Sequence, residues 1–442
     1  MKIGVLPNIF PKLSKTYVLD QVTGMLDRGH DVRLYPSYPS DESVRHPEFD
    51  AYELDRRTTY IGPPRSLGPA AAGSARNAVS LAIRRPTTVP ELARTALTDG
   101  PRAAGTFTYH ARTVLPDDLD VLHAHFGPVG RQAARLDRVG AAEAFVTTFH
   151  GWGIRERANY DDLFERCDAV LATSRHVRER LLDAGADPDA VDVHHVGIDP
   201  RLYDETASEV PPPDAAAVDG GTGAVDGPGD SLDDGRGEHG HRAGDHGARR
   251  ELAILTVARL HEIKGLEYAI RAVDGLADRL PAVNVTYRVV GDGPRREHLE
   301  SVIETLDCGD RVTLCGAKPH AAVREALGEA DVFCLPSLHE GFGLVLLEAQ
   351  ASGLAIVASD VGGVREAVRA GESARLVPPK APGAIADELE SLARSPTERD
   401  RLGRAGRRYV RENFDVRTLN DELERRYERV LAAGDPSRRV DA

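Results

Sequence analysis

Cysteine is scarce in this sequence and never closely paired: Cys167, Cys308, Cys315 and Cys334 are scattered, with no C-x-x-C among them. That spacing excludes a zinc ribbon or a dithiol redox centre and reads as reduced, buried thiols of a cytosolic protein. Basic excess is missing too. The chain carries 70 Asp+Glu against 56 Lys+Arg, a formal net charge of −14, which excludes whole-surface nucleic-acid binding. No run reaches the roughly 18 apolar residues of a membrane span. The opening "MKIGVLPNIFPKLSK" lacks an apolar signal region, so a soluble protein that stays inside the cell is expected. No G-x-G-x-x-G follows an early strand, which disfavours a two-domain dehydrogenase.

What is present is a long alternation of short apolar runs and helical patterns. The 442 residues suffice for two or three domains. "KIGVL", "DVRLY", "LDVLHAHF", "AFVTTFH", "DAVLATS" and "VDVHHV" form one series of buried, β-branched strands, and "LAILTVA", "NVTYRVVG", "RVTLC", "DVFCLP", "LAIVAS" and "ARLV" a second. Strands at βα spacing predict parallel sheets, and two series predict two doubly wound, Rossmann-like α/β domains. The expected boundaries are 1–203 for the first domain, 251–406 for the second, a helix at 407–433 returning to the first, and a disordered tail at 434–442. Between the domains, 204–250 is rich in Gly, Asp and Pro and reads as a flexible acidic linker. His239, His241 and His246 could ligate a metal there, but a solvated linker is the favoured reading.

Segment 56–115 reverses the acidic trend, with nine arginines against only Glu91 and Asp99. In "SARNAVSLAIRR" arginines flank Val79, Leu81 and Ile83, which predicts an amphipathic helix. Two readings stand side by side: contact with anionic lipid or a phosphate-bearing substrate, or a solvated helix pair with its apolar side turned inward.

The densest chemistry lies in "LPSLHEGFGLVLLEAQASG", residues 335–353. Glu340 and Glu348 stand eight positions apart, about 12 Å along a helix. A hydrolytic carboxylate pair needs roughly 5–9.5 Å. Two separate hydroxyl-binding tasks on one elongated ligand fit better. A strand, a glycine-bearing loop and a helix follow in order, so the amides of Gly341, Phe342, Gly343 and Leu344 stand at a helix N-terminus suited to phosphate. Upstream, "VARLHEIKG" places Arg259 and Lys264 after a strand, where a diphosphate leaving group needs cations. No D-x-D motif occupies a donor position, since "SLDDG" falls in the linker, so no metal or other cofactor is expected.

Together "VARLHEIKG", "VVGDGP", the E-x(7)-E segment and "SDVGGVREAV" resemble the retaining glycosyltransferases of family four, on the GT-B fold. "FPKLSKTYVLDQVTGMLDRGHDV", "HAHFG" and "TTFHGWGI" are similar to the branch that builds exopolysaccharides such as colanic acid or amylovoran. The resemblance implies a hexosyltransferase that uses a nucleoside-diphosphate sugar and a glycan or lipid-linked acceptor, and retains anomeric configuration. It implies that Arg259 and Lys264 hold the diphosphate, Glu340 the sugar and Glu348 the ribose. His150 would face the donor sugar, its alternative being a histidine at the edge of the core. The loop "CGAK" (315–318), from Cys315 and Gly316, would seat the base by its backbone, and Asp360, Gly362 and Gly363 would shape the wall. A location at the inner membrane face is expected alongside the cytoplasm. Lys15 departs from that branch, which commonly has Glu there, so the acceptor chemistry is expected to differ. The double glycine common in that loop is absent, and no phosphate role is assigned to it. A nucleotide-sugar 2-epimerase or phosphorylase on the same architecture, or a non-catalytic sugar-nucleotide sensor, are the rival readings.

Overall fold

The computed structural model describes residues 1–12, 15–42, 46–151, 154, 160–204 and 250–434. The linker with its histidines, "SLDDG", the tail beyond 434, and Trp152 and Gly153 of "TTFHGWGI" lie outside the described residues.

Among the described residues twelve strands form two six-stranded sheets. The first contains β1 (Lys2–Leu6), β2 (Asp31–Leu34), β3 (Leu119–His125), β4 (Ala142–Phe149), β5 (Ala169–Ala172) and β6 (Val191–Val193), in the order β2-β1-β3-β4-β5-β6. The second contains β7 (Arg250–Val257), β8 (Val283–Val290), β9 (Val312–Gly316), β10 (Val332–Leu335), β11 (Ala355–Ser359) and β12 (Ala374–Val377), in the order β12-β11-β10-β7-β8-β9. Every strand pair in both sheets is parallel. Helices cover both faces, so the strands read as the continuous apolar runs seen in the sequence. The strand order reverses at β1/β3 in one sheet and at β7/β10 in the other. Such reversals open a crevice beyond the strand ends where ligands bind.

The chain returns to its first half at the C-terminus, but not as one helix from 407. Pro396–Asn413 packs on the second sheet, and a new helix, Val416–Ala433, begins three residues later. Phe414 is buried with the second-domain core, and its carbonyl accepts from the Ile198 amide at 3.0 Å. The Asp415 side chain then caps the Arg417 amide and starts the new helix. Leu423 and Tyr427 of that helix lie in the core around β1 and the helix Thr16–Asp27.

Segment 56–115 contains three longer helices, Leu67–Arg84, Thr88–Thr98 and Pro101–Val114. Its two acids anchor it: Glu91 is buried and bonded by Arg94, while Asp99 takes Arg131 at 2.7 Å and Arg135 at 3.0 Å. The first of these helices has apolar residues on both sides. Leu81 turns inward, whereas Val79 and Ile83 are 61% and 76% exposed. No helix among the described residues is long and apolar enough to cross a membrane.

Candidate active site

The two strand-order reversals face each other across a cleft of about 520 Å³. From the first domain Lys12, Tyr17, His46, His150 and Thr173 line it; from the second come Arg259, Lys264, Ala317, Lys318, His320 and the run Glu340–Val345 with Glu348.

Each second-domain residue is placed by a strand end. After β7 the chain turns through Arg259, which is exposed to the cleft, into the short turn Glu262–Lys264. After β10, Ser337 and Glu340 occupy the loop, and the helix Leu344–Ala351 carries Glu348 in its second turn. Both glutamates are only 7% exposed. Lys264 forms a close ion pair with Glu340, and the Ser337 hydroxyl donates to the same carboxylate oxygen at 2.9 Å. The His320 ring nitrogen Nε2 lies 3.3 Å from the Glu348 carboxylate. Burial alone would lower the His320 pKa, but the hydrogen bond and charge of Glu348 carry it above its ordinary value. The amides of Gly341, Phe342 and Gly343 make no hydrogen bond among the described residues and stand at the start of the helix.

The loop is held by main-chain contact with its neighbours. A Cβ on Gly341 would lie 2.5 Å from the His150 carbonyl oxygen, so only glycine lets the two domains approach there. A Cβ on Gly363 would lie 2.2 Å from the Gly341 oxygen, and the Gly363 amide donates to the Glu340 carbonyl at 3.1 Å. The Ser174 hydroxyl donates to the Gly341 carbonyl at 2.7 Å across the cleft. Glu366 accepts from the amides of Arg175 and His176 at 2.7 and 3.1 Å, placing its charge at the N-terminus of the helix Arg175–Asp183. The Phe342 ring is turned away into the core, stacked on His195 with centroids 5.3 Å apart.

On the opposite wall, His150 follows β4. Tyr17 covers its ring at 4.2 Å and Phe126 at 4.8 Å. Burial pushes its pKa down to about 3, so it is neutral at ordinary pH. Lys15 lies over the Phe126 ring and donates to the Ile9 carbonyl at 3.2 Å; burial, with Lys12 nearby, lowers its pKa to about 8.

Cys315 and Gly316 do not line the cleft. β9 runs through Gly316, whose carbonyl accepts from the Gly291 amide at 2.9 Å, so the cleft-facing positions begin with Ala317 and Lys318. Asp360 pairs with Arg365 at the surface. His320, Ser174 and Glu366 were not singled out from sequence. The one available signal for His320 was its place directly after "CGAKP", at the start of a helix. Among the described residues no three His, Cys, Asp or Glu side chains are grouped to hold a metal ion.

Two facing doubly wound domains with the cleft at their strand ends define a GT-B architecture. The Anabaena protein HepE, solved with UDP and glucose, superposes with a TM-score of 0.65 at 16% identity, covering 97% of this chain and 99% of that one. Residues 14–202 match the model for Glycosyltransferase Family 4, and residues 245–409 that for Glycosyl transferases group 1. WcaL of Salmonella typhimurium, named for colanic acid biosynthesis, is 30% identical over 96% of this chain and 98% of its own. The amylovoran biosynthesis glycosyltransferase AmsK of Erwinia amylovora is 29% identical over 96% and 100%. The chain belongs to glycosyltransferase family four and is a glycosyltransferase.

Proposed function

We propose that the chain moves a hexosyl group from a nucleoside-diphosphate sugar to a hydroxyl of a glycan or lipid-linked acceptor, with retention, in cell-surface polysaccharide synthesis. The second domain (251–406) takes the donor and the first (1–203) the acceptor. The observation that carries this reading is the row Glu340, free amides at 341–343, Glu348, with Arg259 and Lys264 lining the same cleft. Arg259, Lys264 and the helix start meet the charge of the diphosphate, which grows as the glycosidic bond breaks. Glu348 accepts from the ribose diol and Glu340 from sugar hydroxyls. In retention without a protein nucleophile, the acceptor attacks from the face the diphosphate leaves, and the departing phosphate oxygen takes the acceptor proton. The protein supplies position and charge.

Relatives named for colanic acid and amylovoran synthesis favour a polysaccharide product. The outer face of the helix Leu67–Arg84 supports docking on an anionic membrane at the cytoplasmic side. Val79 and Ile83 are exposed there, and Arg76 and Arg84 make no ion pair among the described residues.

A screen of UDP-, GDP- and ADP-sugars by thermal shift and donor turnover tests the reading. One donor should stabilise the protein and yield an α- or β-linked product of unchanged anomeric sense. Isomerised sugar formed without acceptor would instead make the enzyme an epimerase, and turnover dependent on inorganic phosphate a phosphorylase.

A further inference from the structure

Behind His150 the first domain holds a stack of imidazoles that the donor reading does not use. His123 and His125 are two apart on β3, so both side chains leave the same face of the strand. Their rings stack with centroids 4.8 Å apart and planes 7° apart. His125 meets His150 edge to edge, with ring planes 25° and centroids 5.3 Å apart, and its Nδ1 lies 3.0 Å from the His150 Nε2. Tyr17 and Phe126 pack on the His150 ring, and His123 covers a face of the His125 ring.

Two nitrogens at that distance share one proton, and the two tautomers place it on opposite rings. The other nitrogen of His125 decides between them. Its Nε2 is buried with no partner among the described residues. A buried N–H without an acceptor is rarer and costlier than a bare lone pair. His125 then carries its proton on Nδ1.

We infer that His125 is a positioning residue that donates from Nδ1 to the His150 Nε2, fixing His150 as the Nδ1–H tautomer and making it a hydrogen-bond donor into the cleft. His150 is part-exposed and lines the cleft, and its Nδ1 is not among the buried unpartnered atoms. His150 then offers an N–H to an oxygen of the bound sugar or acceptor, and does not abstract a proton. Burial holds both rings neutral, and the charge of Lys15 works in the same direction, so the proton arrangement persists at ordinary pH. His123 is fixed separately: Gln21 donates to its Nδ1 at 2.9 Å, which leaves its Nε2–H for the Thr148 hydroxyl at 2.7 Å. The stack is thereby tied to the returning helix through Tyr427, 2.5 Å from the His123 Nδ1.

The role in transfer rests on the proposed function, but the tautomer does not. Side-chain nitrogen NMR on the full chain, labelled with ¹⁵N-histidine, reads it without any donor, with His150 assigned by its loss in His150→Gln. The expected result is a protonated Nδ1 and a bare Nε2 on His150. His125→Leu should release that preference and lower kcat about 10- to 100-fold with donor KM little changed. His125→Asn, whose amide N–H can stand near the lost Nδ1–H, should recover most of it. A protonated Nε2 on His150 in the wild-type chain overturns the inference. So does His125→Leu with an unaltered His150 spectrum and kcat, or an Asn variant as impaired as the Leu. If no sugar nucleotide is turned over, the transferase reading fails while the spectrum still decides the tautomer.

Discussion

At Gly341 the main chains of the two domains meet, and its missing side chain is what lets the donor loop reach His150. A methyl group there would meet the His150 carbonyl at 2.5 Å, main chain that cannot rotate aside. Gly341→Ala should therefore force the walls of the cleft apart while leaving each domain's core alone. A displacement of about 1 Å at reacting groups costs on the order of 10²-fold in rate. Steady-state kinetics should show a fall of that order in kcat/KM, with a melting temperature close to wild type; unchanged kinetics would show that this contact does not set the cleft. Glu340, Glu348, Arg259 and Lys264 were legible from sequence because each sits a short, fixed distance after a strand. His320 and Ser174 were not, because each follows a strand with no motif of its own, and only the fold brings Ser174 against the Gly341 carbonyl and His320 against Glu348. Of the expected base loop 315–318, Ala317 and Lys318 line the cleft, while β9 continues through Gly316.

The helix Leu67–Arg84 shows how far a pattern can be read at the scale of one element. Amphipathic character over "SARNAVSLAIRR" was expected, with an inward apolar side or a lipid-facing one as the choices. The helix has both: Gly73, Asn77 and Leu81 are buried, while Val79, Ile83 and Arg76 occupy the outer side. Gly73 leaves room for the hydroxyl end of Tyr109 from the neighbouring helix, a tertiary fact the helical period does not encode. If the outer side docks on lipid, Arg84→Glu with Arg85→Glu should abolish co-sedimentation with anionic liposomes, and Val79→Ser with Ile83→Ser should weaken it. Failure of the wild-type chain to bind such liposomes would remove the membrane reading and leave the transferase reading intact. The break at Phe414 was hidden for a related reason, because both helices around it carry apolar residues at helical spacing.

For the whole molecule, several histidines are held neutral by burial. The pKa values of His110, His150 and His194 are each lowered from 6.5 to about 3. Below pH 6.5 the unfolded chain takes up protons at these sites and the folded chain does not. Folding stability therefore falls as pH drops from about 6.5 towards 3. Asp20, raised by burial from 3.8 to about 8, and His320, raised by Glu348, act in the opposite sense, but they are two groups against six, since burial also lowers His123, His125 and His339. The melting temperature should decrease from pH 7 to pH 5, and His194→Gln should flatten that slope; a flat or rising profile on acidification would contradict the assignment. The two doubly wound halves were legible from their strand series, because parallel strands buried on both faces leave an unmistakable apolar signal. How the halves meet was not, because Glu366, Ser174 and the returning helix act between segments that no local pattern connects.

The central claim is that a diphosphate lies between the two carboxylates, held by Lys264, Arg259 and the helix start. Calorimetric titration of UDP, GDP and ADP into the full chain tests it directly. At least one should bind the wild-type protein, and Lys264→Ala should weaken that binding about 10- to 100-fold, the worth of one charge-assisted hydrogen bond. Equal affinity in Lys264→Ala and wild type, or no binding of any diphosphate, would contradict the account.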